Sequence, residues 1–468
     1  MSAAPGSRFS PFDRTVVAVI GVTLLLIAVV IVRGNQVSLG VVLLQPADGA
    51  TGISARTQVQ VQLDQPLDAG QGALSLTLDP PVAGEVQVAG DRLRFVPAAP
   101  LAPGTRYAVQ LAPGLRSQEG RTLEEVVTWH FTTGTAQVLY STSAGAGEQL
   151  FTIPAPPGPD ATAGTPVQLT TQPGGVWDFS VAPDGSQVVF SAVGAEGTSD
   201  LWLLQPGAAE AVHLLACPNA FCSTPAWSPD GALLAYSQRN ANDFAAAAVS
   251  PPRLFLMDLA SRTTVPVFAD SQRLGFDPRW SADGRWITYL APDLTGVGVY
   301  NLESGEERFY PTSTGETGIW HPQRLQFVMN EMTQIGEQYV VHLVLVDPVA
   351  GTRQNLSGAD ALVEDGSPAW SPDGAWLAFR RNELSGERKT LSKQLWRMRA
   401  DGSEAQPLIF DPEADHGAPA WSPDAARLLY HKFPLKGPNI VIGLWMMDVA
   451  TGEQWPVVSP GQRPQWLP

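Results

Sequence analysis

A chain of 468 residues has room for two or three domains, and a formal net charge of −16 leaves no basic face for general nucleic-acid or anionic-lipid binding. Charged residues make up only 16%, while 44 Gly and 41 Pro point to many short strands joined by turns rather than to long helices. Two cysteines, Cys217 and Cys222, are too few for a zinc site without His or carboxylate help. Outside the cytoplasm a small loop disulfide is expected of them; the other reading is two unpaired small side chains in a loop.

Residues 1–14 read as a short polar tail on the cytoplasmic side. Thr15 to Val32 is a run of 18 residues without a charge, bounded by Arg14 and Arg33. It is expected to be a single uncleaved transmembrane anchor, because no small-residue cleavage site follows Val32. Arg8 and Arg14 place the N-terminus inside, and the remaining domains outside the cytoplasm.

Residues 38–134 read as a β-sandwich. Val59, Val61 and Leu63 alternate with Gln58, Gln60 and Gln62, as Tyr107, Val109 and Leu111 alternate with their neighbours, giving each strand one wet face. Asp48-Gly49, Pro103-Gly104 and Glu119-Gly120 are turn signals between such runs. The stretches from Pro46 to Ala50 and from Val59 to Asp68, then Leu93 to Pro97, Leu101 to Tyr107 and Phe131 to Gly134, resemble the bacterial Ig-like domains of the S-layer SbsA type. That resemblance implies an exported spacer or adhesion module without catalytic residues.

Residues 135–468 carry a repeat. Trp227-Ser228-Pro229-Asp230-Gly231 recurs unchanged at 370–374. It recurs with one substitution at Trp280 (Ala282) and at Trp421 (Ala425), and in weaker form at Val181, Trp320 and Trp466. The markers stand 40 to 53 residues apart, the length of a four-stranded propeller blade. Trp ends the innermost strand; Pro fixes φ, Asp bonds its own turn and Gly tolerates a positive φ. Strands such as Leu233 to Tyr236 and Leu254 to Met257 follow. The first three outer strands precede any marker, and the chain ends on one. Residues 463–467 are therefore expected to complete the first blade, which gives an all-β fold with seven blades (six as the alternative). The repeat resembles the WD40-like propeller of the TolB family, which occurs both in periplasmic binding proteins and in front of prolyl oligopeptidase-type catalytic domains. No G-x-S-x-G elbow is present, so that serine-peptidase chemistry is not expected.

The aspartates Asp230, Asp283, Asp373 and Asp424 stand one per blade, too far apart to share a calcium ion, and are read as turn residues. No metal and no cofactor is expected. Residues three to five before the markers should line one mouth of the channel: Asp178, Asp277, Glu316, Asp365, His416 and Arg463. A carboxylate ring there could receive a basic peptide or a cation, or be a hydrated rim. Two insertions stand out. One is Asp243 to Pro252. The other is Asn382 to Lys393, whose basic cluster of Arg380, Arg381, Arg388, Lys389 and Lys393 could face a partner or a membrane surface. The expected function is non-catalytic: a membrane-anchored extracytoplasmic scaffold for a protein, peptide or envelope component, and not an enzyme. One alternative is a propeller lyase or hydrolase with His416 and Asp415 at the channel mouth. Another is an accessory or sensor subunit of a membrane complex.

Overall fold

The computed structural model describes residues 11–34, 38–68, 76–98, 100–145, 147–161, 164–194, 198–208, 210–240, 250–437 and 440–467. Most of the 243–252 insertion lies outside them. The first element is a helix, Pro11–Gly34. Its charge-free stretch of 18 residues reaches about 27 Å at the helical rise, short of a hydrocarbon core of about 30 Å. Among the described residues no helix is long and apolar enough to cross a membrane. The anchor expected at 15–32, and the single-pass extracytoplasmic placement that rested on it, are corrected by this finding.

The rest of the chain is all β and divides into two compact units, changing over between Thr133 and Gly134. In the first unit one sheet orders Val41–Gln45, Val59–Leu63, Arg92–Pro97 and Gly84–Ala89. The other orders Ala50–Ile53, Val127–Thr133, Arg106–Leu111 and Leu76–Asp79. The alternation read in the sequence sets the faces: Val59, Val61 and Leu63 are buried with Leu93, Phe95, Val109, Trp129 and Phe131. The intervening glutamines remain half-exposed.

The second unit is a succession of antiparallel four-stranded meanders. One runs Ala220–Trp227, Leu233–Asn240, Arg253–Asp258 and Thr263–Pro266. The last strand of the chain, Gln462–Leu467, pairs antiparallel with Gln137–Ala144, Trp466 facing Val138. Gly147–Pro154 and Val167–Gln168 continue that sheet, so one meander draws on both ends of the unit. Its inner strand thereby has a partner instead of a free edge.

The repeated turn accounts for its own sequence. Ser228 Oγ donates to Asp230 Oδ1 (2.6 Å) and accepts from Leu233 N (2.8 Å), while Asp230 Oδ1 accepts from Ala232 N (3.0 Å). Ser281 with Asp283, Ser371 with Asp373 and Ser422 with Asp424 repeat the Ser–Asp bond at 2.5–2.6 Å. These aspartates are occupied within their own turns. Gly231 takes φ +71°, where a side chain would be strained.

The marker tryptophans hold neighbouring meanders together. Each indole N–H reaches back to the carbonyl of the residue before the preceding marker: Trp227 to Ser180 (3.2 Å), Trp280 to Ala226 (3.0 Å), Trp320 to Arg279 (3.2 Å), Trp421 to Ala369 (2.9 Å) and Trp466 to Ala420 (3.1 Å). Trp370 departs from the series. Its Nε1 is buried without a partner, and its ring packs on His321 at 4.8 Å between centroids. His321 stands where four of the turns carry Ser, at 228, 281, 371 and 422, and crosses to the carbonyl of Gly374 through Nε2 (3.2 Å).

Candidate functional site

The inner strands share a bulge just before the marker. Strand register shifts between Ser223 and Ala226, Phe276 and Arg279, Gly366 and Ala369, and Gln462 and Gln465. In these four strands the residue three before the Trp takes a positive φ: Thr224 49°, Asp277 53°, Ser367 47° and Arg463 50°. A left-handed non-glycine residue costs roughly 1–2 kcal/mol. Some of that cost is offset because the bulge turns backbone N–H groups away from their own ladder. Thr224 N donates to Asp178 Oδ2 (3.2 Å), Asp277 N to Ser237 Oγ (3.1 Å) and Ser367 N to Glu316 Oε2 (3.3 Å). The period of the markers is visible in the sequence, whereas the bulge leaves no residue-type signature.

The six residues expected at one mouth fall into three environments. Arg463 and Asp178 lie on neighbouring inner strands, and Asp277 lies two inner strands beyond Asp178. Arg463 Nη1 is 3.9 Å from Asp178 Oδ1 and also donates to the carbonyl of Trp177. Asp277 pairs with Arg279 (2.9 Å) and accepts from Thr317 Oγ1 (2.9 Å). Burial raises the Asp178 carboxyl above its ordinary value, and Asp277 adds to the rise. Glu316 is half-buried and accepts from the Ser367 amide.

Asp365 is not at an open mouth. It has no exposed surface and is bound by Arg381 through two bonds of 2.7 Å, with Ser357 Oγ donating a third (2.5 Å). The Arg381 guanidinium lies 5.0 Å from the Phe379 ring centroid and 4.9 Å from that of Trp396. Of the basic cluster read in the sequence, Arg381 is buried on Asp365 and Arg380 half-buried on Asp415 (2.5 Å), while Arg388, paired with Glu383 (3.0 Å), and Lys389 stay exposed. Among the described residues Lys393 forms no ion pair.

His416 is also fully buried, and neither ring nitrogen has a hydrogen-bond partner. Its backbone is fixed on both sides: His416 N donates to Lys393 O (3.0 Å), and Arg380 Nε donates to His416 O (2.6 Å). Asp415 accepts from Arg380 and from Lys393 N (3.0 Å). The ring packs 5.8 Å from Tyr430. Lys432, paired with Asp411 at 2.7 Å, completes the surroundings. Burial, helped by Lys432, lowers the imidazole to about 4, with Asp411 and Asp415 pulling the other way. The ring is therefore neutral at pH 7. His431, on the adjacent strand, is likewise lowered by burial and by Arg380, and its Nδ1 is unpartnered. A side chain on Gly417 would collide with its ring at 1.9 Å. His431 and Lys432 entered no candidate list from sequence, because only the strand pairing of Ala414–His416 with Arg427–Pro434 brings them to His416; Arg380 is read from sequence only as part of the basic cluster.

Among the described residues no group of three or more His, Cys, Asp and Glu could hold a metal ion. Cys217 and Cys222 are joined by a disulfide.

Residues 36–133 match the bacterial Ig-like domain family. A curated relative, the uncharacterized peptidase YuxL of Bacillus subtilis (strain 168), is 26% identical over 219 residues, 44% of this chain and 29% of the relative. The chain thus spans under a third of that relative's length. Among solved structures, a puromycin hydrolase S511A mutant complexed with PGG is 16% identical with a TM-score of 0.53, covering 70% of this chain and 52% of its own. TolB from Acinetobacter baumannii is 13% identical with a TM-score of 0.39, covering 70% and 78%. The composition is an Ig-like domain followed by a propeller. The expectation of a non-catalytic scaffold that is not an enzyme is corrected here: the relative by sequence is named a peptidase. Repeat and turn chemistry describe a scaffold whatever it carries, which is why the sequence pattern alone pointed the other way.

Proposed function

We propose that this chain is a hydrolase of peptide or related amide bonds, with its site at the mouth of a seven-bladed propeller beside His416. The blades run over residues 135–468 behind an Ig-like domain at 38–134, and the strand Gln462–Leu467 closes the first of them. The observation that carries the reading is His416, wholly buried, neutral, and free of partners at both ring nitrogens. A buried polar ring without partners is costly unless something uses it. Kinship with a protein named a peptidase supplies the reaction class.

In this reading His416 takes a proton from the attacking water and returns it to the leaving amine. Arg380 and Lys393 supply positive charge for the oxygen that becomes negative. Asp415 holds Arg380 and the Lys393 backbone in place. Because His416 has no exposed surface, turnover requires the side chains around it to move aside. The acidic groups Asp178, Asp277 and Glu316 favour substrates carrying basic residues.

The test is turnover of a panel of aminoacyl and peptidyl p-nitroanilides by the purified chain. Activity that falls by about a hundredfold or more in His416→Gln supports the reading. Absence of turnover by the wild-type chain, or equal turnover in the variant, overturns it.

A further inference from the structure

A cavity of about 380 Å³ opens on one face of the meander formed by Arg427–Pro434, Gly443–Asp448 and Gln454–Val458. Pro434, Val441, Trp445, Pro456 and Val457 give it apolar walls, and Lys432 and Ser459 are the polar side chains of the lining. Val441 is exposed, so the walls are open to solvent. Strand register makes the room. Lys432 pairs with Gly443, so no side chain stands opposite the lysine, and Trp445 pairs with Pro456. The same face carries the His416 ring: His416 pairs with Lys432, and its ring packs on Tyr430, the strand partner of Trp445. Lys432 is thus common to the cavity and to the surroundings of His416.

The polar side chains in this lining are donors. Lys432 Nζ stands 5.1 Å from the Trp445 ring centroid and 2.7 Å from Asp411 Oδ2, which takes one of its three N–H groups. Trp445 Nε1 can only donate. Among the described residues it has no hydrogen-bond partner, and it is not sealed from solvent as the indoles of Trp370 and Trp455 are. Ser459 adds an exposed hydroxyl. Among the described residues no Asp or Glu lines the cavity. An occupant therefore needs an apolar body and a group that accepts from several donors, which a carboxylate does best. We propose that this cavity binds the C-terminal residue of a peptide. An apolar side chain, best an aromatic one, lies between Pro434, Trp445 and Pro456, and the terminal carboxylate accepts from Lys432 Nζ and Trp445 Nε1. The volume falls within the range of small-ligand sites, about 300–1,000 Å³. The peptide as carrier of the carboxylate rests on the hydrolase reading; the chemistry of the lining does not.

The probe is N-acetyl-dialanyl-phenylalanine with a free carboxylate, titrated by calorimetry into the full chain at pH 7. Its C-terminal amide, and the trialanine peptide with a free carboxylate, should each bind at least about tenfold more weakly. Lys432→Met and Trp445→Phe should each cost about tenfold, the loss of one donor to a charged group. Gly443→Ala narrows the cavity. Its added Cβ would meet only ordinary contacts, 3.4 Å to Ser459 and 3.6 Å to Trp445 Nε1, so its melting transition should match the wild type while binding weakens about tenfold. If a variant does not fold, the comparison of acid and amide on the wild-type chain decides. No binding by the wild-type chain, equal binding of acid and amide, or unchanged binding in both Lys432→Met and Trp445→Phe overturns the site. Phenylpropionate binding as tightly as the peptide would assign the cavity to a free aromatic acid and overturn the peptide. Binding with the expected losses but no turnover keeps the site and discards the hydrolase reading; turnover without this binding does the reverse.

Discussion

The indole of Trp466 donates to the carbonyl of Ala420 at 3.1 Å, joining the last inner strand of the chain to the one before it. Through the pairing of its own strand with Gln137–Ala144, the same residue ties the end of the second unit to its beginning. Trp466 is buried among Val138, Tyr140, Leu429 and Leu444.

Trp466→Ala should therefore cost about 3–5 kcal/mol, the usual loss for a buried Trp. Removing residues 462–468 should do more, because it also exposes the edge of Gln137–Ala144. The expected outcome is a lower and broader thermal transition of the full chain, followed by circular dichroism. An unchanged transition in the truncated chain would show that the terminal strand is dispensable for closure.

Ala425 occupies the turn position that is Gly at 231, 284 and 374, and it takes φ +59°. Its side chain stands in the left-handed region that glycine enters freely. Ala425→Gly should raise stability, by up to about 1 kcal/mol, with strain relief partly offset by the greater freedom of glycine in the unfolded chain. Urea unfolding of the two proteins measures this directly, and a destabilised variant would mean the turn carries no strain.

His416 makes stability depend on pH. In the fold its value is lowered to about 4, while an unfolded imidazole sits near 6.5. Between these values the unfolded chain binds the proton and the folded chain does not, so protons favour unfolding. Stability is full above about pH 6.5 and falls as pH drops to about 4, by on the order of 3 kcal/mol. His416→Phe should flatten that limb. The check is urea unfolding of both proteins at pH 7 and pH 4.5; parallel losses in the two would assign the acid sensitivity to other groups.

The buried pair of Asp365 and Arg381 is a separate case. Two bonds of 2.7 Å and a third from Ser357 satisfy the carboxylate, so the pair can persist without solvent. From sequence Asp365 read as a rim residue, because it stands five before Trp370 as His416 stands five before Trp421. The bulge between Gly366 and Ala369 shifts the strand's facing, and Arg381 on the paired strand closes over the carboxylate. Position relative to the marker was legible; the direction of the side chain was not.

Local chemistry fixed what the sequence by itself could determine. The alternation at 59–63 set the faces of a sandwich. The Trp-Ser-Pro-Asp-Gly repeat set the length of each meander, since Ser and Asp close the turn within a few residues of one another. The unpaired marker at Trp466 announced a strand that had to return to residue 138. The tertiary structure alone decided everything that joins residues far apart in the chain. It buried His416 between Lys393 and Tyr430 and turned Arg380 and Arg381 of a supposed basic surface onto Asp415 and Asp365. Those contacts depend on strand register across different meanders, and register is set by packing and bulges rather than by residue type.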